Sequence, residues 1–394
     1  MRKKVDQKMA PRVVHYFRNV DLTSKSRPEF IPEAFPLNCE YGDDQWSAGF
    51  LLRAAVRFQH IWATYGVREG YRTIDSPQPA VCFSGFNLAD LIAVRDGFSP
   101  RSESTTQYAL TFPLNVAQKG GIRPVVEREA GHSGSPTGGS EPEWRWLHTG
   151  NYKRRIERIE SSGWEGNTIP GLKLSQKKWA GIGVVVPDME SARALQYDIL
   201  SLIDRKIISI THFDHILVCD KLPDSLEGLS ENEVNSAFAN ACYDFKSCLN
   251  VGILAPLIWP FDFGSRVLLY DGPVRREPVV EKGGCWLWFE DNTHEYVRAL
   301  VMAGRVKVNK QGRYLASLDE LENLKELRVR EDVALKLGLE LYKDFGIRSS
   351  YFSVLNSQSF DDVPSFSGDL CATGYYVVDP DFSDDIFAIE VGGD

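Results

Sequence analysis

GIGVVVPDMESARALQYDILSLID, residues 181–204, is the stretch whose reading decides the fold class. Three valines after Gly-Ile-Gly read as a strand covered on both faces, because such strands are apolar throughout rather than alternating. Asp188 follows where a helix N-cap is wanted, its short carboxylate placed to accept from the first free backbone N–H groups. Beyond it Ala192, Leu195, Ile199, Leu202 and Ile203 recur at helical spacing and form one apolar face. IISIT (207–211) and HILVCD (215–220) read as further strand. Strand, helix and strand in this order predict a mixed α/β (α+β) fold.

Working toward the N-terminus, RVVHYF (12–17) reads as a strand, and helical spacing of Phe50, Leu51, Ala54, Ala55, Phe58, Ile61 and Trp62 predicts a helix over about 47–65. A buried strand is expected over 80–83, then a short helix, LADLIAVRDG, capped by Asn87. YALTF (108–112) and IRPVVE (122–127) read as strands. A Gly/Ser/Pro-rich loop over 129–142 leads into the alternating strand EWRWLH (143–148). Toward the C-terminus, Ser230 and Glu233 have the spacing of a capping box opening a helix from 231. VGILAPLIWPFDF (251–263), with two prolines, reads as a packed linker. Asn292 and Glu295 are placed as N-cap and N3 of the next helix. A hairpin over 305–318 and a helix over about 328–345 follow. Helix then basic hairpin also fits a winged-helix module with Lys307, Lys310 and Arg313 on the wing; an ordinary α/β surface is the alternative. The expected division is 1–175, a candidate catalytic domain; 176–271, a β-α-β middle region; and 272–394, a C-terminal α/β domain.

The 394 residues are 43% hydrophobic and 25% charged, enough apolar material for two or three cores. No apolar run is long enough for a membrane span, and the basic start lacks an apolar signal segment, so a cytoplasmic protein without membrane partners is expected. The seven scattered cysteines form no CxxC pair and read as reduced thiols. The net charge of −9 argues against sequence-blind coating of DNA, yet charge is uneven. Residues 349–394 carry nine acidic side chains and no basic one, whereas 144–179 carry eight Lys/Arg against three Glu.

The signatures of P-loop NTPases, Rossmann dehydrogenases, zincins and serine hydrolases are absent from the sequence. His212 and His215, with Cys219 nearby, have metal-ligand chemistry, but on a strand positions three apart point to opposite faces, and no metal is expected. The segment 143–179 is richer. Trp144, Trp146, Trp164 and Trp179 are interleaved with Lys153, Arg154, Arg155 and Arg158, and with Lys173, Lys177 and Lys178. Indoles stack on unpaired bases while cations hold phosphates, so the mixture suits nucleic acid with exposed bases. A solvated basic helix beside a Trp-rich core strand is the competing reading. On 143–148 the alternation places Glu143, Arg145 and Leu147 on one face and Trp144, Trp146 and His148 on the other.

The order HYF strand, helix, AVCFSGF strand, GGIRPVVE strand and EWRW resembles the layout of ADP-ribosyltransferase-like proteins, DarT-like phage-defence toxins among them, over residues 12–165. The resemblance implies that His15 helps hold NAD, that Glu143 is catalytic and that Ser84 lies by the substrate. Two features depart from the family pattern: Tyr16-Phe17 follows His15 where a small hydroxyl residue is usual, and no Ser-Thr-Ser string follows the middle strand. The C-terminal third, from GGCWLWFEDNTHEYVRALVMAG onward, resembles an uncharacterised bacterial domain of defence-type proteins. The favoured expectation is an anti-phage DNA glycosylase without cofactor. In it Glu143 stabilises the sugar cation or activates water, Lys153, Arg154, Arg155 and Arg145 grip phosphates, and Trp144 or Trp146 stacks on the flipped base. An NAD-dependent ADP-ribosyltransferase using His15 and Glu143 is the first alternative. A non-catalytic nucleic-acid or partner-binding protein is the second.

Overall fold

The computed structural model describes residues 11–27, 45–68, 70–72, 78–125, 143–151, 170–270, 281–321, 326–362 and 364–367. The chain divides into two compact units, one of 1–195 with 208–244 and the other of 196–207 with 245–394. The architecture is mixed α/β, as the valine strand and its helix predict. The residues expected as a separate middle region are divided: strand Ile182–Val186 hydrogen-bonds antiparallel to Ala109–Pro113 and so joins the first unit's sheet, whereas 196–207 and 245–270 belong to the second unit.

That sheet has eight strands, in the spatial order Cys242–Tyr243, Phe213–Val218, Ile182–Val186, Ala109–Pro113, Arg12–Tyr16, Ala80–Gly85, Trp144–Leu147 and Arg123–Pro124. Only Ile182–Val186 and Phe213–Val218 pair in parallel, as a β-α-β crossover requires; the other neighbours are antiparallel. The segment 207–211, expected as strand, carries no strand assignment and leads into Phe213–Val218 by turns. Asp188 receives the amide of Ser191 at 2.8 Å at the start of helix Met189–Asp204.

Helix Ala48–Phe58 is shorter than the apolar spacing implied. Gln59 takes a left-handed conformation (φ 53°) and ends it, so Ile61 and Trp62 belong to strand His60–Trp62. Asn87 caps Leu88–Arg95, and Ser230 with Glu233 forms both halves of the box opening Glu231–Ala241. These two helices cover one face of the sheet, meeting Val14, Ala109, Val185 and Leu217.

The second unit holds a five-stranded antiparallel sheet ordered Val306–Val308, Tyr314–Ser317, Gly283–Phe289, Ser349–Leu355 and Phe366–Ser367. Leu287 and Phe289 turn to a core shared with helices Ala255–Leu269, Glu295–Met302 and Leu327–Phe345; Trp286, Trp288 and Phe352 turn to the other face. The hairpin is present, but Arg313 lies over the rings of Trp288 and Phe352 rather than on a free wing. Two expectations are corrected. Residues 251–263 are not a linker, since most of them form helix Ala255–Leu269, where Pro256 is tolerated in the first turn and Pro260 inside. The N-cap of Glu295–Met302 is His294, whose ring accepts from the Tyr296 amide, while Asn292 is buried and donates to Tyr197 O.

Candidate active site

The strand Trp144–Leu147 lies next to the sheet's outermost strand, between Ala80–Gly85 and Arg123–Pro124. Its register pairs Arg145 with Cys82 and with Arg123, and Trp144 with Phe83, so side chains at these matched positions share a face. Glu143, Arg145, Cys82 and Ser84 thus fall on one face, and Trp144, Trp146, Phe83 and Val81 on the other. The alternation read from residues 143–148 is the one the register carries.

Glu143 is gripped by Arg145 in a two-pronged ion pair, Nε to Oε1 at 2.8 Å and Nη2 to Oε2 at 3.0 Å. The carboxylate is 45% exposed and the guanidinium 19%, so the cation is the sheltered partner. Burial works against the charge on Arg145, but its hydrogen bond with Glu143 leaves the pKa above the ordinary value. The Cys82 thiol lies beneath this pair. Burial first, then the negative charge of Glu143, pushes its pKa up to about 12, so the sulfur stays a neutral S–H donor and not a nucleophile. Cys82 was missed from sequence because its proximity depends on register between strands sixty residues apart. Arg123, also missed, stands beside Arg145, is exposed, and donates to Gln118 O and Ile122 O.

His15 is elsewhere. It pairs in register with Leu110, and its neighbour Val14 pairs with Ser84, so its ring leaves the sheet on the face opposite Glu143. Nδ1 donates to Cys82 O at 2.9 Å, and the ring meets Phe17 edge-on. Burial lowers its pKa to about 4, against the carbonyl hydrogen bond that raises it. Ser84 Oγ is 3.1 Å from Ser104 Oγ, which is 2.6 Å from Ser102 Oγ. Trp146 is half-buried near His148, and Trp144 is half-buried. Trp179 is a core side chain, wedged against Phe112 and Gly120 with its N–H given to Lys173 O. Lys153, Arg154, Arg155, Arg158 and Trp164 lie outside the described residues, as does the 129–142 loop.

The structure therefore brings together Glu143, Arg145 and Ser84, and separates them by the thickness of the sheet from His15, Trp144 and Trp146. An NAD held by His15 and attacked under Glu143 does not fit this arrangement, since one ring nitrogen is committed to a strand carbonyl and the ring faces away. Among the described residues, no group of three His, Cys, Asp or Glu could hold a metal ion, and no helix is long and apolar enough to cross a membrane. His212 and His215 are buried side chains that meet the rings of Phe213 and Phe238, respectively, edge-on. The five described cysteines are free.

Residues 269–377 match the model of a family described as Protein of unknown function (DUF4427), a match confined to the C-terminal third. No curated protein and no solved structure matches the chain.

Proposed function

We propose that the first unit is an enzyme acting at an N-glycosidic bond of nucleic acid, with Glu143 as the catalytic carboxylate, and that DNA, as in anti-phage defence, is its substrate. The observation that carries this reading is the Glu143–Arg145 pair. A two-pronged grip fixes the orientation of a carboxylate that remains half accessible, and each oxygen keeps a lone pair not used by the arginine. Departure of a base leaves oxocarbenium character at the sugar C1′. A carboxylate fixed in place before the reaction stabilises that charge or orients the attacking water without reorganisation. The neutral Cys82 thiol lies on the same face of the sheet, beside this pair. Arg123 beside Arg145 offers a second cation for the polymer's phosphates, together with the basic sequence of residues 153–158. The likeness in element order to ADP-ribosyltransferase-like proteins supports glycosidic chemistry at this strand. The placement of His15 across the sheet favours the form without NAD. Trp144 and Trp146, on the far face, are not the stacking partners in this scheme.

The test is incubation with normal and modified phage DNA, followed by mass analysis of released bases and alkaline cleavage at abasic sites. Base release is expected, with Glu143→Gln lowering its rate by about 10²–10⁴-fold, the usual range for a positioned acid–base group. No release from either DNA, or equal release by the variant, overturns the assignment. Nicotinamide release from added NAD with mass gain on DNA replaces it with the transferase reading.

A further inference from the structure

Helix Ala255–Leu269 is apolar on both sides, yet among the described residues its own unit covers only one. Phe263 and Val267 are fully buried in the second unit's core, with Trp259 packed against it. On the opposite side Leu254, Leu257, Ile258, Phe261, Leu268 and Leu269 are 52–79% exposed. The helix carries two charges, Asp262 and Arg266, and both are engaged inward. Arg266 bonds Asp262 at 2.8 Å, Glu340 at 2.6 Å and Asp344 at 2.7 Å, and Asp262 also receives the Tyr296 hydroxyl. The outer face is left without a charged residue.

We infer that this face is the contact by which two copies of the chain pair. Three observations select a second copy over other occupants. Leu254, Ile258, Phe261, Ser265 and Leu268 succeed one another at spacings of four, three, four and three, the seam by which one helix packs along another in a heptad pattern. The exposed apolar side chains of this face amount to an area on the order of 800 Å², the size each partner contributes to a standard protein interface and more than the largest apolar patch usual on a monomer. A seam without charge has nothing to select a partner of opposite sign, but it complements itself about a two-fold axis. A lipid surface is disfavoured because helices that lie on membranes carry Lys and Arg along their polar border, and here the one arginine is turned inward. Phe261 is at the middle of the seam, so in an antiparallel pair it meets its own counterpart.

The proposal concerns the second unit alone and stands or falls independently of Glu143. Light scattering on the full chain at about 10–50 µM is expected to give twice the chain mass. Phe261→Glu, a substitution on an exposed face, is expected to give the single-chain mass with unchanged circular dichroism and to weaken association at least a hundredfold. Phe261→Cys is expected to form a disulfide-linked dimer under mild oxidation. A wild-type chain that stays monomeric across this range overturns the pairing, whether or not it binds neutral or anionic vesicles. So does a Phe261→Glu/Leu257→Glu chain that remains dimeric.

Discussion

The two units bury polar groups by different means. In the second, the most sheltered ion pair matches charge with opposite charge, although buried Arg330 donates to the Gly283 carbonyl. Arg298 bonds both oxygens of Asp204 at 2.6 and 2.9 Å, the two side chains are only 4% and 7% exposed, and Tyr314 gives its hydroxyl to the same carboxylate at 2.6 Å. In the first, besides the Arg145–Glu143 and Arg95–Asp96 ion pairs, sheltered cations and rings also donate to the backbone. Arg12 donates to Thr111 O at 3.0 Å and Gly181 O at 2.5 Å, tying three strands' worth of chain together, and burial pulls its pKa to about 10. Arg95 donates to Leu222 O at 2.6 Å, and His15 to Cys82 O. A carbonyl cannot be protonated in the physiological range, and a carboxylate can be removed by one mutation. The first arrangement is therefore vulnerable through its histidines and the second through single acidic residues.

The sharpest break of this contrast is Asp204→Asn. It leaves the Arg298 guanidinium buried without a counter-charge, a loss of about 3–5 kcal/mol for a broken buried pair. Urea unfolding followed by tryptophan fluorescence, to which Trp259, Trp286 and Trp288 contribute from the second unit, measures it. Replacing both partners with apolar residues, Asp204→Leu with Arg298→Met, is expected to recover most of the loss, because what costs energy is the orphaned charge rather than the missing pair. If Asp204→Asn alone shifts stability by less than about 1 kcal/mol, the second unit does not rest on charge pairing in the way described.

This triad also marks where sequence reading stops. Asp204 meets Arg298 and Tyr314 across 94 and 110 residues, and nothing in local pattern joins them. What periodicity could report it did. The valine strand, the split of residues 143–148 between two faces, and the Asn87, Asp188 and Ser230 caps follow from spacing and short side chains alone. The failures share a cause, which is that register between distant strands and the partner of an apolar face are tertiary facts. Residues 251–263 were apolar on all sides and so had no amphipathic signature, and their prolines hid a helix that tolerates one in its first turn and another inside. Glu143 and Arg145 were legible as neighbours on one face. That His15 faces the other way, and that Cys82 lies beneath the pair, required the pairing of three strands.

A second, smaller contrast concerns pH. Burial lowers the pKa of both His15 and His212 in the first unit to about 4, so the fold favours the neutral rings. The unfolded chain takes up protons near the ordinary value of about 6.5 and therefore binds more of them than the native state between there and about pH 4. Stability is full above this window and falls as pH drops through it, by on the order of 1–3 kcal/mol for each ring. His15→Gln is expected to flatten the pH dependence of unfolding between 6.5 and 4 by about one proton. An unaltered slope would mean that the His15 ring is solvated in the native state.

The mildest test uses a feature common to neither mode of burial. Ser230 Oγ accepts the Glu233 amide, while the Ser230 amide donates back to the Glu233 carboxylate at 2.7 Å, all on exposed surface. By contrast, helices Ala255–Leu269 and Leu327–Phe345 begin with no side-chain cap and depend on their packed faces. Glu231–Ala241 has few buried side chains of its own, so its first turn leans on the box. Ser230→Ala is expected to cost about 1 kcal/mol, read as roughly fivefold faster amide exchange confined to that helix. Phe238 of this helix lies against the His215 ring, 5.0 Å between centroids, so His215 on the neighbouring strand is where any spread beyond the helix would first be read. Exchange that accelerates across the whole first unit instead would show that the helix and the sheet open as one cooperative block.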